Sequence, residues 1–179
     1  HLVVAARGGR AIVLLRGGID LSIGGMVSLG TVLAATQFGE TLASGALWTV
    51  LIVAIGFAVG AINGLLISVL RLQPFLVTLA TWSILSGTAL LILPIDGGSL
   101  PPAWMSAGNA VVLGISTSVW ILIGLFVFWL WFRETRLGLT IRATGSNEKS
   151  AFLSGVSLTR INIATYGLSG LFAALAALY

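Results

Sequence analysis

Cysteine is absent from the chain, which excludes a disulfide framework, a thiolate metal site and a cysteine nucleophile. Charge is nearly as scarce. Nine Lys or Arg and five Asp or Glu make up 8% of the 179 residues, against about a quarter in an ordinary soluble domain. The one histidine is His1, at the very start. What fills the sequence is apolar: 58% of residues are hydrophobic, and there are 23 Gly besides. A soluble fold of this length cannot hide so much apolar surface. A disordered chain has the opposite bias, poor in apolar residues and rich in charge. The composition is that of an integral membrane protein.

The sequence opens on His1-Leu2-Val3 and stops at Tyr179 inside an apolar run, so it reads as a piece of a longer protein. Arg7, Arg10 and Arg16 interrupt the apolar stretch near the start, which argues against a signal peptide. The intervals 21–39, 41–70, 72–95, 97–132 and 161–179 contain no Asp, Glu, Lys or Arg. A helix needs about 20 apolar residues to cross the hydrocarbon layer. The apolar cores therefore predict about five spans, near 20–37, 48–70, 75–93, 110–132 and 161–179. In lipid each span must satisfy its own backbone hydrogen bonds, and continuous runs of this length suit helices rather than barrel strands. The expected fold class is all-α, a polytopic membrane helical bundle forming a single domain over 1–179.

Charge sets the orientation. The nine basic residues are Arg7, Arg10, Arg16, Arg71, Arg133, Arg136, Arg142, Lys149 and Arg160. With alternating spans, all nine fall on one side of the membrane. The opposite loops, near 38–47 and 94–109, carry Glu40 and Asp96 and no base. The positive-inside rule makes the basic side cytoplasmic, with 133–160 as a cytoplasmic segment. The pI near 10.8 thus reports topology. Nucleic acid is not an expected partner, since the bases lie at span ends without interleaved stacking aromatics. Trp129 and Trp131 before Arg133, and Trp48 at the opening of the second span, suit an interfacial aromatic belt. The string 94–102, rich in turn formers, reads as a boundary without chemistry.

Several motifs carry more than one reading. Gly56, Gly60 and Gly64 recur every four residues and form a ridge on one helix face; it serves packing inside one subunit or a subunit interface. Asn63 beside it needs a partner in lipid, either another helix or a transported solute. In Gly17-Gly18-Ile19-Asp20-Leu21-Ser22, the Asp20 carboxylate can accept the free N–H groups that start the next helix. That is a plain cap at the membrane edge, or the start of a helix broken inside the bilayer beside a polar path. Gly167-Leu168-Ser169-Gly170 has the look of an intramembrane serine protease motif, but the Ser has no histidine base beyond His1. Gly145-Ser146-Asn147-Glu148-Lys149-Ser150 lacks phosphate-loop spacing. No metal-ligand cluster is present. In 145–156, Asn147 can cap a short helix that Gly155 ends, either a surface loop or a docking knob for another protein.

Three strings carry a family resemblance: "LLRGGIDLSIGG", "GAINGLLISVLRLQPFLVTLATWSILSGTALL" and "RLGLTIRATGSNEKSAFLSGVSLTRINIATYGLSGLFAALAALY". They are long, occur in order, and resemble the permease subunits of ribose-type monosaccharide ATP-binding cassette importers. The related permeases for branched-chain amino acids fit the first two strings less well. The resemblance implies a bacterial inner-membrane transport subunit, not an enzyme, with no cofactor in this chain. Its implied partners are a cytoplasmic ATPase that binds ATP and magnesium, a second permease subunit forming a homodimer, an extracytoplasmic sugar-binding protein and the surrounding membrane lipid. It also implies that 145–156 contacts the ATPase, with Gly145, Asn147, Glu148, Ala151 and Gly155 as matching positions. Asp20, Ser22, Asn63, Thr78 and Thr81 match polar positions assigned to the solute path. Arg7, Arg10 and Arg16 depart from the family's more apolar helix. The competing readings are a branched-chain amino acid permease of the same class and an ion-coupled secondary transporter, for which Asp20 is the only candidate buried charge.

Overall fold

The computed structural model describes residues 19–39, 41–95, 97–108, 110–146, 153 and 155–179. The five expected spans are five helices: α1 (Ser22–Gln37), α2 (Leu42–Val69), α3 (Pro74–Ile92), α5 (Thr117–Phe132) and α7 (Leu158–Ala177). Two shorter helices are also found among the described residues, α4 (Pro102–Gly108) and α6 (Arg136–Ser146). By length and apolar content, Ala43–Val69 and Pro74–Ile92 suffice to cross a membrane.

Local sequence sets the boundaries. Thr41 is extended and its side chain accepts the Ser44 N–H at 3.2 Å, the usual device for an orphan N-terminal donor. This cap starts α2 six residues earlier than expected, so Trp48 lies inside α2 rather than opening it. At 28 residues α2 is about 42 Å long, more than the hydrocarbon layer requires. It ends where Arg71 adopts a left-handed conformation, φ 53°. Pro74 then begins α3, where its missing N–H and fixed φ do no harm.

The fourth expected span needs correction. Residues 111–116 form a two-stranded hairpin, β1 (Val111–Val112) paired antiparallel with β2 (Ile115–Ser116). Leu113 and Gly114 both have positive φ, 54° and 76°, as a type I′ turn demands. The Thr117 N–H and hydroxyl both donate to the Ala110 carbonyl, at 3.0 and 2.8 Å, and close the hairpin. An apolar run by itself does not separate strand from helix, and here the β-branched residues and the Leu-Gly turn favour the strand. The helix proper starts at Thr117. The 94–102 boundary is followed by structure as well: Trp104 of α4 packs edge-on against Phe38, ring centroids 5.2 Å apart.

The bundle is organised around α2 and α7, which run antiparallel in the most extensive helix contact. The glycine ridge makes it possible. A methyl on Gly56 would come within 2.5 Å of the Gly170 carbonyl oxygen, and one on Gly64 within 2.5 Å of that of Asn162. A methyl on Gly60 would overlap the Tyr166 carbonyl. Residues 56, 60 and 64 thus meet 170, 166 and 162, backbone against backbone, the close approach by which membrane helices gain dispersion energy. The ridge is an internal packing face, the first of its two readings. Helix α1 lies over this pair and beside α3. The core between them holds Ile23, Met26, Leu29, Ile52, Leu85 and Ala173. A second cluster joins Phe132, Ile141, Ile161 and Phe172 from α5, α6 and α7.

Candidate functional site

The turn that leads into α1 is where the polar residues gather. Ile19 and Asp20 precede the helix, and Asp20 is buried at 5% exposure. The N-cap position is Leu21, whose side chain can cap nothing. Asp20, one residue further out, does that work: its Oδ1 accepts the Ser22 N–H at 3.0 Å and the Ser22 hydroxyl at 2.6 Å. The carboxylate is therefore tied to the first helical residue, as expected, from one position outside the cap.

From there the network spreads to three other helices. Asn63 of α2 donates its amide N–H to Ser22 Oγ at 3.2 Å. Thr81 of α3 donates to Asn63 Oδ1 at 2.6 Å. Thr78 of α3 donates to the Ile19 carbonyl at 3.3 Å and to its own Pro74 carbonyl at 2.9 Å. Ser169 of α7 donates to Asp20 Oδ2 at 2.6 Å. The structure brings Asp20, Ser22, Asn63, Thr78 and Thr81 together in one cluster, all buried but Thr81, which is half-buried. Each is engaged by protein partners in the conformation observed.

Ser169 is the member that sequence reasoning missed. It was weighed only as a nucleophile, a role for which none of its described neighbours supplies an imidazole base. A different signal was available: Asn162, Thr165 and Ser169 recur at spacings of three and four, a polar stripe on one face of α7. All three are buried. Asn162 donates to Ser68 Oγ of α2 at 2.7 Å, a direct polar tie across the α2–α7 seam.

The cluster also fixes the depth at which α1 begins. Asn63 lies six residues before the end of α2, about 9 Å along its axis, and Thr81 lies seven residues into α3, about 10 Å. Both distances are measured from the end of the bundle that carries Arg71. The start of α1 is thus inside the bundle rather than level with that end. This is the geometry of the broken-helix reading; Gly17 and Gly18, which that reading also needs, lie outside the described residues.

At the basic end, α6 is a helix the sequence reading did not anticipate. Thr135 caps it through the Gly138 N–H at 3.1 Å, and Ile141, at 1% exposure, anchors it in the second core cluster. Gly145 is its penultimate residue. Gly155 has φ 81°, the left-handed conformation that glycine adopts without steric penalty where helices end. Asn147, Glu148 and Ala151 lie outside the described residues.

Apolar helices of lipid-crossing length, with polar side chains gathered inside the bundle, define a polytopic helical membrane protein. Residues 2–179 match the family described as the branched-chain amino acid transport system / permease component, and the chain belongs to that family. It is 36% identical over 177 residues to the ribose import permease protein RbsC of Escherichia coli K12, covering 94% of this chain and 54% of that protein. It is 36% identical to the galactofuranose transporter permease protein YtfT of the same strain, covering 94% and 50%. Against the fructose import permease protein FruF of Bifidobacterium longum the identity is 31%, covering 100% and 51%. The chain thus spans about half the length of the curated relatives it matches. No solved structure matches it. The family is one of transport components, and the chain is a membrane protein of the bacterial inner membrane.

Proposed function

We propose that the chain is part of the transmembrane permease of an ATP-binding cassette importer that moves a monosaccharide. One observation carries the reading: permeases for three different sugars align with nearly the whole chain. The end bearing Arg71, Arg133, Arg136, Arg142 and Arg160, with the segment 133–160, faces the cytoplasm. A separate ATPase binds ATP and magnesium there. A second permease copy completes the path, an extracytoplasmic protein delivers the sugar, and lipid surrounds the apolar faces.

In this reading Gly145, Asn147, Glu148, Ala151 and Gly155 form the coupling segment. It is flanked by α6 and α7, which share the second core cluster with α5, so a push on the segment is delivered to packed helices rather than to a loose loop. Helix α7 in turn holds Asp20 through Ser169. Asp20, Ser22, Asn63, Thr78 and Thr81 are the closed part of the path; opening it exchanges helix-to-helix hydrogen bonds for bonds to sugar hydroxyls. The ATPase favours one arrangement only through its difference in affinity between the two.

The test is reconstitution of the full-length permease with its ATPase in proteoliposomes. ATP-dependent uptake of labelled D-ribose, D-galactose or D-fructose is expected. Uptake of L-leucine and of none of the sugars overturns the sugar assignment. Uptake that persists with a hydrolysis-dead ATPase moves the protein to the ion-coupled class. Glu148→Lys with Gly155→Leu is expected to release the ATPase in a pull-down; retention moves the coupling site elsewhere.

A further inference from the structure

The importer reading leaves open where a solute rests on the side away from the ATPase. Between α1 and α3, at the end opposite Arg71, lies a groove with a volume of about 300 Å³. That is the lower end of the range for small-molecule pockets. Its walls combine three hydroxyl residues, Ser28, Thr31 and Ser86, with apolar Val32, Ala89 and Leu93. The exposed face of α2 carries large apolar side chains such as Leu47, Val50, Phe57 and Ile62, as a lipid-facing surface does. Ser28 and Thr31 are exposed as well, yet they are polar.

We infer that this groove is a solute-binding segment of the path, and that it takes a neutral, polyhydroxylated molecule of monosaccharide size. The inference rests on the importer reading and goes beyond it by naming a site. Hydroxyl chemistry favours that occupant. The Ser28 hydroxyl donates to the Gly24 carbonyl at 3.2 Å, and the Thr31 hydroxyl is shared between the Val27 carbonyl at 2.9 Å and the Ala177 carbonyl of α7 at 3.3 Å. Each hydroxyl has one hydrogen, so what remains at both oxygens is acceptor capacity. A sugar supplies the matching donors, and its C–H faces suit the apolar wall. Among the described residues lining the groove no side chain is charged. An amino acid would bring an ammonium and a carboxylate, and desolvating either without a partner is costly.

Position supports the same assignment. Ser86 lies five residues beyond Thr81 on α3, about 7–8 Å along the helix, so the groove lies outward of the polar cluster. Between them the Trp82 indole lies against Gly24, where an added methyl would meet it at 3.4 Å.

The absence of cysteine makes single substitutions unambiguous. Ser28→Cys, Ser86→Cys and Leu91→Cys would be placed separately in the full-length permease assembled with its ATPase. A membrane-impermeant methanethiosulfonate reagent is then applied from the side away from the ATPase. Leu91, at 85% exposure, is the control on the exposed side of α3, about 7–8 Å nearer its outer end than Ser86. The thiols at 28 and 86 are expected to react at least tenfold faster than that at 91. The sugar that the same preparation imports slows them at least threefold, while L-leucine does not. Reaction no faster than at 91, or reaction indifferent to an imported sugar, overturns the groove and leaves the importer standing. Slowing by L-leucine overturns the neutral occupant. A parent complex that takes up L-leucine and none of the three sugars overturns the sugar assignment on which the groove's occupant rests.

Discussion

Helices α5 and α7 are of similar length and opposite character. Helix α5, Thr-Ser-Val-Trp-Ile-Leu-Ile-Gly-Leu-Phe-Val-Phe-Trp-Leu-Trp-Phe, is almost wholly large and apolar. Yet of its described side chains only Phe132, the last, is buried. Helix α7 carries Thr159, Arg160, Asn162, Thr165 and Ser169 among small residues, and twelve of its positions are buried. In water the ranking would be reversed. In a bilayer the lipid tails are as apolar as Leu, so a large apolar face gains nothing by turning inward. Small residues gain dispersion contact, and polar residues gain partners they cannot find in lipid. Between these two helices burial therefore follows smallness and polarity.

The sharpest way to break that comparison is to exchange size at matched glycines. Gly60→Leu forces a side chain onto the Tyr166 carbonyl, and backbone cannot step aside as a flexible side chain can. We expect a loss of about 4 kcal/mol, at the upper end for a point substitution, read as the shift in denaturant midpoint in detergent. Gly124→Leu on α5 meets open space, since nothing lies within 4 Å of its added methyl, and stays within about 0.5 kcal/mol. Equal effects at the two sites would mean that the α2–α7 seam is not where stability resides.

Next in size is the carboxylate that holds α1 to α7. Asp20→Ala leaves the Ser22 N–H and the Ser22 and Ser169 hydroxyls without their acceptor, for a loss of about 3 kcal/mol. Ser169→Ala in the native background loses about 1 kcal/mol. Added to Asp20→Ala it loses almost nothing, because its partner is already gone. A double-mutant cycle showing simple additivity would deny the Asp20–Ser169 bond.

The same contrast explains what could be read from the sequence. The five helices followed from gaps between charges, because lipid imposes one length scale on all of them. The cluster of Asp20, Ser22, Asn63, Thr78 and Thr81 followed partly from their polarity in apolar surroundings and partly from resemblance. The partners within the cluster did not follow: Asn63 joins Ser22 and Thr81 across 41 and 18 residues of chain, and no periodicity encodes that. Ser169 was hidden because its motif suggested a nucleophile, although its spacing from Asn162 and Thr165 marked a buried stripe. The hairpin at 111–116 was hidden because apolar content does not distinguish strand from helix, and the Leu113-Gly114 turn was the clue. Helix α6 was overlooked because it obeys the other rule: in the polar segment, one apolar face carrying Leu137 and Ile141 anchors it, as in a soluble protein.

A third prediction isolates the polar tie on the seam. Asn162→Leu removes the bond to Ser68 Oγ but keeps comparable bulk and an apolar surface. The expected loss is about 1 kcal/mol, and Ser68→Ala should lose no more and should not add to it. A gain in stability would mean that the amide is retained for motion of α7 rather than for its anchoring.

The smallest effect belongs to the exposed side of α5. Phe126 and Val127 are 61% and 57% exposed, and in the importer reading lipid meets that side in both the folded and the inserted but unpacked chain. Phe126→Leu and Val127→Leu should each shift the denaturant midpoint by no more than about 0.5 kcal/mol equivalent. Phe132 is chemically similar to Phe126 but is stacked on Phe128, ring centroids 5.8 Å apart, and buried with Ile141 and Ile161. Phe132→Ala should therefore cost about 3 kcal/mol, because it opens a cavity where α5, α6 and α7 meet. If Phe126→Leu proved as damaging, α5 would have a protein neighbour on its exposed face, and its apolar character would need a reason other than lipid.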